Sequence, residues 1–124
     1  MASSLAMPVL VVDDDPAIRD VLTELLTDEG YTAITAPHGA DALASLEQIR
    51  PCLILLDLMM PVMDGFAFRA VQRSDPQLAQ IPVIVLSAFP ATLEAMAMLD
   101  ADAYLRKPVR LDRLIATVER YCGG

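Results

Sequence analysis

Pro51-Cys-Leu-Ile-Leu-Leu-Asp-Leu-Met-Met-Pro-Val-Met-Asp-Gly65 is the stretch from which the rest of the chain can be ordered. Its apolar run, Leu53 to Leu56, does not alternate with polar residues and ends in Asp57. Two more runs share that form. Val9 to Val12 ends in Asp13, and Val83 to Leu86 ends in Ser87. A short continuous apolar run bounded by polar residues is a strand covered on both faces, the pattern of a parallel sheet. Tyr31 to Ala36 and Ala103 to Arg106 supply two further strands. Between the runs, apolar residues recur at helical spacing. Ile18, Val21, Leu22, Leu25 and Leu26 follow Asp15-Pro16, a capping residue and a first-turn proline, and Gly30 stops that helix. Further helices are expected over Ala40–Ile49, Phe66–Arg73, Thr92–Leu99 and Leu111–Tyr121. Five strand-then-helix units with right-handed crossovers put helices on both faces of one sheet. The expected fold is a doubly wound, three-layer α/β domain.

Composition narrows the function. The chain has 124 residues, about one domain, and 55% of them are hydrophobic, which excludes disorder. Its 9 Lys and Arg against 17 Asp and Glu leave a net charge of −8. Phosphate backbones and anionic membranes are bound by clustered Lys and Arg, so direct nucleic-acid or membrane binding is not expected. The uncharged stretch Pro76–Leu93 is broken by Pro76, Pro82 and Pro90 and cannot form a spanning helix. The start, MASSLAMP, lacks a basic segment and a long apolar run, so a cytoplasmic address is expected. Cys52 and Cys122 lie far apart in sequence, and two reduced structural thiols are expected.

Ligands of such sheets bind outside the carboxyl ends of the strands. Asp13 and Asp14, Asp57, Ser87 and Lys107-Pro108 all end strands, so parallel pairing should bring them to one edge. Each alone has an ordinary reading as a cap, a turn or a solvated charge. Together, three carboxylates and one ammonium leave two negative charges in a small space. Two carboxylates ~5 Å apart repel by roughly 3 kcal/mol at an effective dielectric of 20. A divalent cation would cancel the excess, and hard oxygen donors without His or Cys select Mg²⁺ or Mn²⁺. A metal, a lysine and a hydroxyl around an aspartate are the parts for phosphoryl transfer onto that aspartate.

The segments VLVVDDDPAIRDVL, LILLDLMMPVMDGF, VIVLSA and AYLRKPV, spanning about Val9 to Tyr121, resemble the receiver domain of two-component response regulators, the CheY-like family. The resemblance implies a flavodoxin-like five-stranded parallel sheet of order 2-1-3-4-5. It implies Asp57 as phosphoacceptor, Asp14 as a direct Mg²⁺ ligand, Asp13 as a ligand through water, and the backbone carbonyl of Met59 as a third protein ligand. Ser87 and Lys107 are implied to contact the phosphoryl group, and small Ala88 to leave room for it. The Lys107–Pro108 bond is implied to be cis, pointing the ammonium inward. Tyr104 is implied as the aromatic switch that turns inward when Ser87 moves. The implied phosphodonor is a sensor histidine kinase or a phosphotransfer protein. The implied output is a downstream protein target, bound by a monomer or a phosphorylation-dependent dimer. The chain is then a switch with self-phosphorylation and self-dephosphorylation chemistry rather than an enzyme, and residues 1–124 are expected to be a single receiver domain without an output domain.

Several positions depart from the family pattern or call for a separate reading. Asp100-Ala101-Asp102 replaces the usual Gly-Ala-Asp, and Asp tolerates a left-handed backbone better than most residues. Met59 and Phe89, two positions after Asp57 and Ser87, are apolar and cannot orient a hydrolytic water. His38 is expected to be a solvated loop residue. Helix Thr92–Leu99 carries a single charge, Glu94, so Met96 and Met98 are either a partner surface or more deeply buried. An aspartate-nucleophile phosphatase or other hydrolase is disfavoured because such enzymes place the nucleophile in a DxD motif after the first strand and carry a cap domain, whereas Asp57 follows the third strand. A flavodoxin is disfavoured because Asp13-Asp14-Asp15 repels a phosphate in the absence of metal.

Overall fold

A computed structural model describes residues 7–88 and 92–123. Five strands, β1 (Val9–Val12), β2 (Ala33–Ala36), β3 (Leu53–Asp57), β4 (Val83–Ser87) and β5 (Ala103–Arg106), form one parallel sheet of order β2-β1-β3-β4-β5. Helices α1 (Pro16–Asp28), α2 (Gly39–Leu46), α3 (Gly65–Ser74), α4 (Leu93–Leu99) and α5 (Leu111–Cys122) alternate with them, with a 3₁₀ turn at Leu78–Gln80. This is the flavodoxin-like, doubly wound fold that the strand pattern and the resemblance implied.

Side chains of a strand alternate between the faces of its sheet, so each buried run feeds two cores. Leu10, Val12, Ile54, Leu56, Val83 and Val85 share one core with Phe68 of α3 and Leu46 of α2. Val9, Val11, Leu53, Leu55, Ile84 and Leu86 share the other with Leu22 and Leu26 of α1 and Leu114 and Val118 of α5. The three central strands are buried at every position from Val9 to Val12, Leu53 to Asp57 and Val83 to Leu86. That is why those segments carry no polar alternation.

Helix ends follow local chemistry. Asp15, His38, Asp64 and Thr92 each cap a helix, their side chains accepting from Ala17, Asp41, Ala67 and Ala95 backbone amides. His38 is therefore no free loop residue. Its Nδ1 accepts from the Asp41 amide at 3.3 Å and its ring side chain is only 22% exposed. Helix α2 stops at Leu46 rather than Ile49, because Gln48 and Ile49 both turn back to the Ser45 carbonyl ahead of Pro51. Tyr31 and Thr32 lie outside β2. The Tyr31 amide instead donates to the Leu26 carbonyl and closes the end of α1. Asp100 does adopt the left-handed conformation, at φ 46° and ψ 47°, and ends α4.

The cysteines are not two separate reduced thiols. Cys52, just before β3, and Cys122, the last residue of α5, form a disulfide, with their Cα atoms 5.3 Å apart. Helix α5 runs antiparallel to the strands, so its end returns to the edge where β3 begins. Separation in sequence does not report that proximity.

Candidate functional site

The parallel register carries the acidic residues to one edge. Val12 pairs with Leu56, so Asp13 and Asp57, each one residue further on, end adjacent strands. Asp57 pairs in register with Leu86, and Ser87 with Arg106, which sets Ser87 and Lys107 beside the two acids. Oxygens of Asp13, Asp14 and Asp57 come within 4.8 Å of one another. Asp13 and Asp57 are buried and Asp14 is exposed. Lys107 Nζ donates to Asp13 Oδ2 at 2.9 Å and to Asp57 Oδ1 at 3.3 Å. The Lys107 amide donates to the Ser87 carbonyl at 2.7 Å, joining the ends of β4 and β5. The Lys107–Pro108 peptide is cis.

Further bonds hold the acids in place. Asp13 Oδ1 accepts from the Asp15 amide at 2.9 Å, and the Asp13 carbonyl accepts from Arg19 Nη1 at 2.7 Å. The Asp57 carboxyl is raised above its ordinary pKa of 3.8, first by burial and then by the negative charge of Asp13. The charge and hydrogen bond of Lys107 counter that rise only in part, and the pKa of Lys107 is itself raised. Burial works to lower it, but the hydrogen bond and charge of Asp13 and the charge of Asp57 prevail. One ammonium thus answers three carboxylates, and the site retains excess negative charge.

The loop after Asp57 is built by residues whose importance is not apparent from the composition of the motif. A Cβ on Gly65 would stand 2.7 Å from the Asp57 carbonyl oxygen and 2.8 Å from Leu58 Cα, so only glycine lets α3 start there. The Gly65 amide donates to the Leu58 carbonyl at 2.9 Å. Gly39 is crowded in the same way by Met63, at 2.7 Å from its Cγ, and its amide donates to the Met63 carbonyl at 3.0 Å. Between these anchors the Met63 amide turns back to the Pro61 carbonyl at 2.7 Å, forcing Val62 to φ 67°. A β-branched residue there is strained. The Asp-Gly pair at 64–65, a helix cap followed by a glycine, is the sequence signal for this anchoring.

Tyr104 on β5 points toward α4 rather than away from it. Its hydroxyl donates to the Met96 carbonyl at 2.8 Å and accepts from the Ala101 amide at 3.0 Å. On α4, Met96 is half-buried, whereas Leu93 and Met98 are 85% and 67% exposed. Met98 thus belongs to the surface. Met59 is 65% exposed beside the acidic edge and Ala88 is exposed at the end of β4. Phe89 lies outside the described residues.

The donor set fits a small hard cation: three carboxylates with converging oxygens, one of them exposed, and no nitrogen or sulfur donor among them. The matching family model, that of the response regulator receiver domain, covers residues 9–119. An uncharacterized 14.6 kDa protein of Leptolyngbya boryana is 40% identical, over 98% of this chain and 95% of its own length. The DNA-binding response regulator MtrA of Mycolicibacterium smegmatis is 38% identical over 89% of this chain, but the match covers only 48% of MtrA. The chain thus spans about half the length of that relative. Among solved structures, the signal receiver domain of a histidine kinase from Syntrophus aciditrophicus is 31% identical, with a TM-score of 0.86, covering 96% of this chain and 92% of that one. The Thermotoga maritima response regulator TrrA, solved in complex with Mg²⁺ and BeF, is 31% identical with a TM-score of 0.82, covering 93% of this chain and 98% of that one.

Proposed function

This chain belongs to the response regulator receiver family, and from that premise we propose that it is a phosphorylation-gated switch whose phosphoacceptor is Asp57. Receiver domains are signalling switches and not enzymes with turnover on a separate substrate. The observation that carries the assignment is the position of Asp57. It ends the central strand, is buried, and shares the Lys107 ammonium with a second buried carboxylate, Asp13.

An Asp57 carboxylate oxygen attacks the phosphorus of a phosphohistidine on a sensor kinase or phosphotransfer protein. The N–P bond breaks as the O–P bond forms, and the imidazole leaves with the bonding pair. Asp14, Asp13, Asp57 and the Met59 backbone carbonyl would hold Mg²⁺ or Mn²⁺, which supplies neutralising charge to the transferring group when bound. Lys107 shifts from carboxylate to phosphoryl oxygen, and Ser87 donates its hydroxyl to another. Ala88 leaves the space in which that group sits. Pro108, following Lys107, begins the turn into α5.

Pulling Ser87 and Lys107 toward the phosphoryl group displaces the loops leading into α4 and α5. Tyr104 and the α4–β5–α5 surface, with Met96 and Met98, form the output face for a downstream protein or a second receiver. A switch from 1:99 to 99:1 needs roughly 5.5 kcal/mol. Charge-assisted hydrogen bonds of ~1.5–3 kcal/mol each, plus repacking of the Tyr104 ring, are of that order. The chain acts in the cytoplasm as a receiver domain. Among the described residues no helix is long and apolar enough to cross a membrane. Nucleic-acid binding by relatives such as MtrA is not carried over to this acidic chain. Incubation with a small phosphodonor and Mg²⁺ should add one phosphoryl mass, and Asp57→Asn should prevent it. Labelling at an unchanged rate in that variant would refute the assignment.

A further inference from the structure

We propose that Cys52 and Cys122 are a reversible dithiol–disulfide site that locks the far end of α5 to the base of the central strand. The site rests on its own geometry. The cytoplasmic address, on which its reversibility rests, belongs to the functional reading above. A disulfide in that compartment is characteristically transient or redox-sensing rather than a permanent staple.

Two observations point to a site that accommodates both states. The first is the placement of the pair. Cys52 immediately precedes β3, and Asp57 ends the same strand. Lys107, bonded to Asp57, precedes α5, and Cys122 ends that helix. Strand and helix are therefore joined at both ends, by an ion pair at the acidic edge and by sulfur at the opposite edge. The second is the surroundings of Cys52. Its sulfur lies 3.4 Å from the Met7 carbonyl oxygen and 3.6 Å from the Pro8 carbonyl oxygen. A reduced, buried thiol would find acceptors there at once, so opening the bond strands no buried donor.

The oxidant that the pair needs is a low-molecular-weight disulfide, RSSR, which exchanges with thiols and takes up two electrons. Half-buried Cys122 is the accessible member, and Cys52 is 8% exposed. The Cys122 thiolate attacks RSSR, forming Cys122–S–S–R and releasing one RS⁻. The Cys52 thiolate then attacks the Cys122 sulfur, forming the internal disulfide and releasing the second RS⁻. Two cysteine thiols lose two electrons and two protons, and RSSR becomes two RSH.

The test equilibrates the full chain, from both the reduced and the oxidised side, in graded mixtures of reduced and oxidised glutathione. Free thiols are then trapped by alkylation and counted by mass. The expected result is a monomer converting between two alkylatable thiols and none, with the same composition reached from both sides. Reduction should lower the Tm by roughly 10 °C, since the bond closes a long loop in the unfolded chain. It should also speed amide exchange in the last turn of α5 while β3 stays protected. Cys122→Ala, checked for folding by circular dichroism, should melt with the reduced protein and ignore the oxidant. A bond that stays closed at every ratio, one that never forms, or a glutathione adduct that never resolves would overturn the proposal. The count reads sulfur alone, so it stands or falls separately from phosphorylation of Asp57.

Discussion

Asp57 is held at odds with its own ionisation. Burial and the neighbouring Asp13 raise its pKa, with Lys107 answering only part of the charge. A carboxyl whose folded pKa lies above its unfolded value costs stability when ionised. That cost is complete above the folded pKa and disappears as pH falls to the ordinary 3.8. Without metal, Asp57→Asn should therefore raise the Tm at neutral pH. The gain should shrink on acidification and vanish near the ordinary carboxyl range, as thermal melts across that span can check. A constant gain at all pH values would show that ionisation of Asp57 is not its source. Gly65 illustrates the opposite demand, since even a methyl group meets the backbone of Asp57 and Leu58 there.

Helix α4 has seven residues and is too short to be stable by its own hydrogen bonds. Its C-terminal carbonyls are satisfied from outside. Arg69 of α3, buried to 6% exposure, donates Nε to the Leu99 carbonyl at 2.7 Å and Nη2 to the Asp100 carbonyl at 2.6 Å. Arg73 Nη1 reaches the Met98 carbonyl at 3.1 Å, and Gln72 braces Arg69 Nη1 at 2.8 Å. The end of α4 nearest β5 is thus clamped. Arg69→Met should orphan two carbonyls, costing about 3 kcal/mol and lowering the Tm by roughly 10 °C in denaturation experiments. Motion on phosphorylation should then concentrate at the start of α4 and along β5. Amide chemical shifts with and without beryllofluoride should change around Met96, Tyr104 and the start of α5. Changes confined to α1 and α2 would sink that output face.

Two of the chain's excess negative charges gather at one edge of the sheet, where three carboxylates face one ammonium. A cation that binds the folded state alone adds RT ln(1 + [L]/Kd), about 2.7 kcal/mol at a hundredfold excess over Kd. Mg²⁺ should raise the Tm of the wild-type chain accordingly. Asp14→Ala should abolish that response, and it should leave the apo protein folded because Asp14 is exposed. A melting curve indifferent to Mg²⁺ would count against the metal site.

The unbroken apolar runs at Val9, Leu53 and Val83 determined the parallel sheet, because only strands covered on both faces dispense with polar alternation. Polar residues ending each run determined which side chains share an edge, since parallel strands deliver all their ends to one side. The cap Asp15 was also legible, because capping is a local bond. His38 caps α2 through the Asp41 amide, but reads as a solvated loop residue because histidine is not one of the usual capping residues. Other features depend on contacts between segments distant in sequence. Nothing in the sequence sets Arg69 apart, and its burial follows from its bonds to the end of α4. Cys52 and Cys122 read as unrelated thiols until α5 returns antiparallel to the strands. Periodicity reports which face a residue occupies, but not which distant residue meets it there, and that meeting was decided by the packed fold.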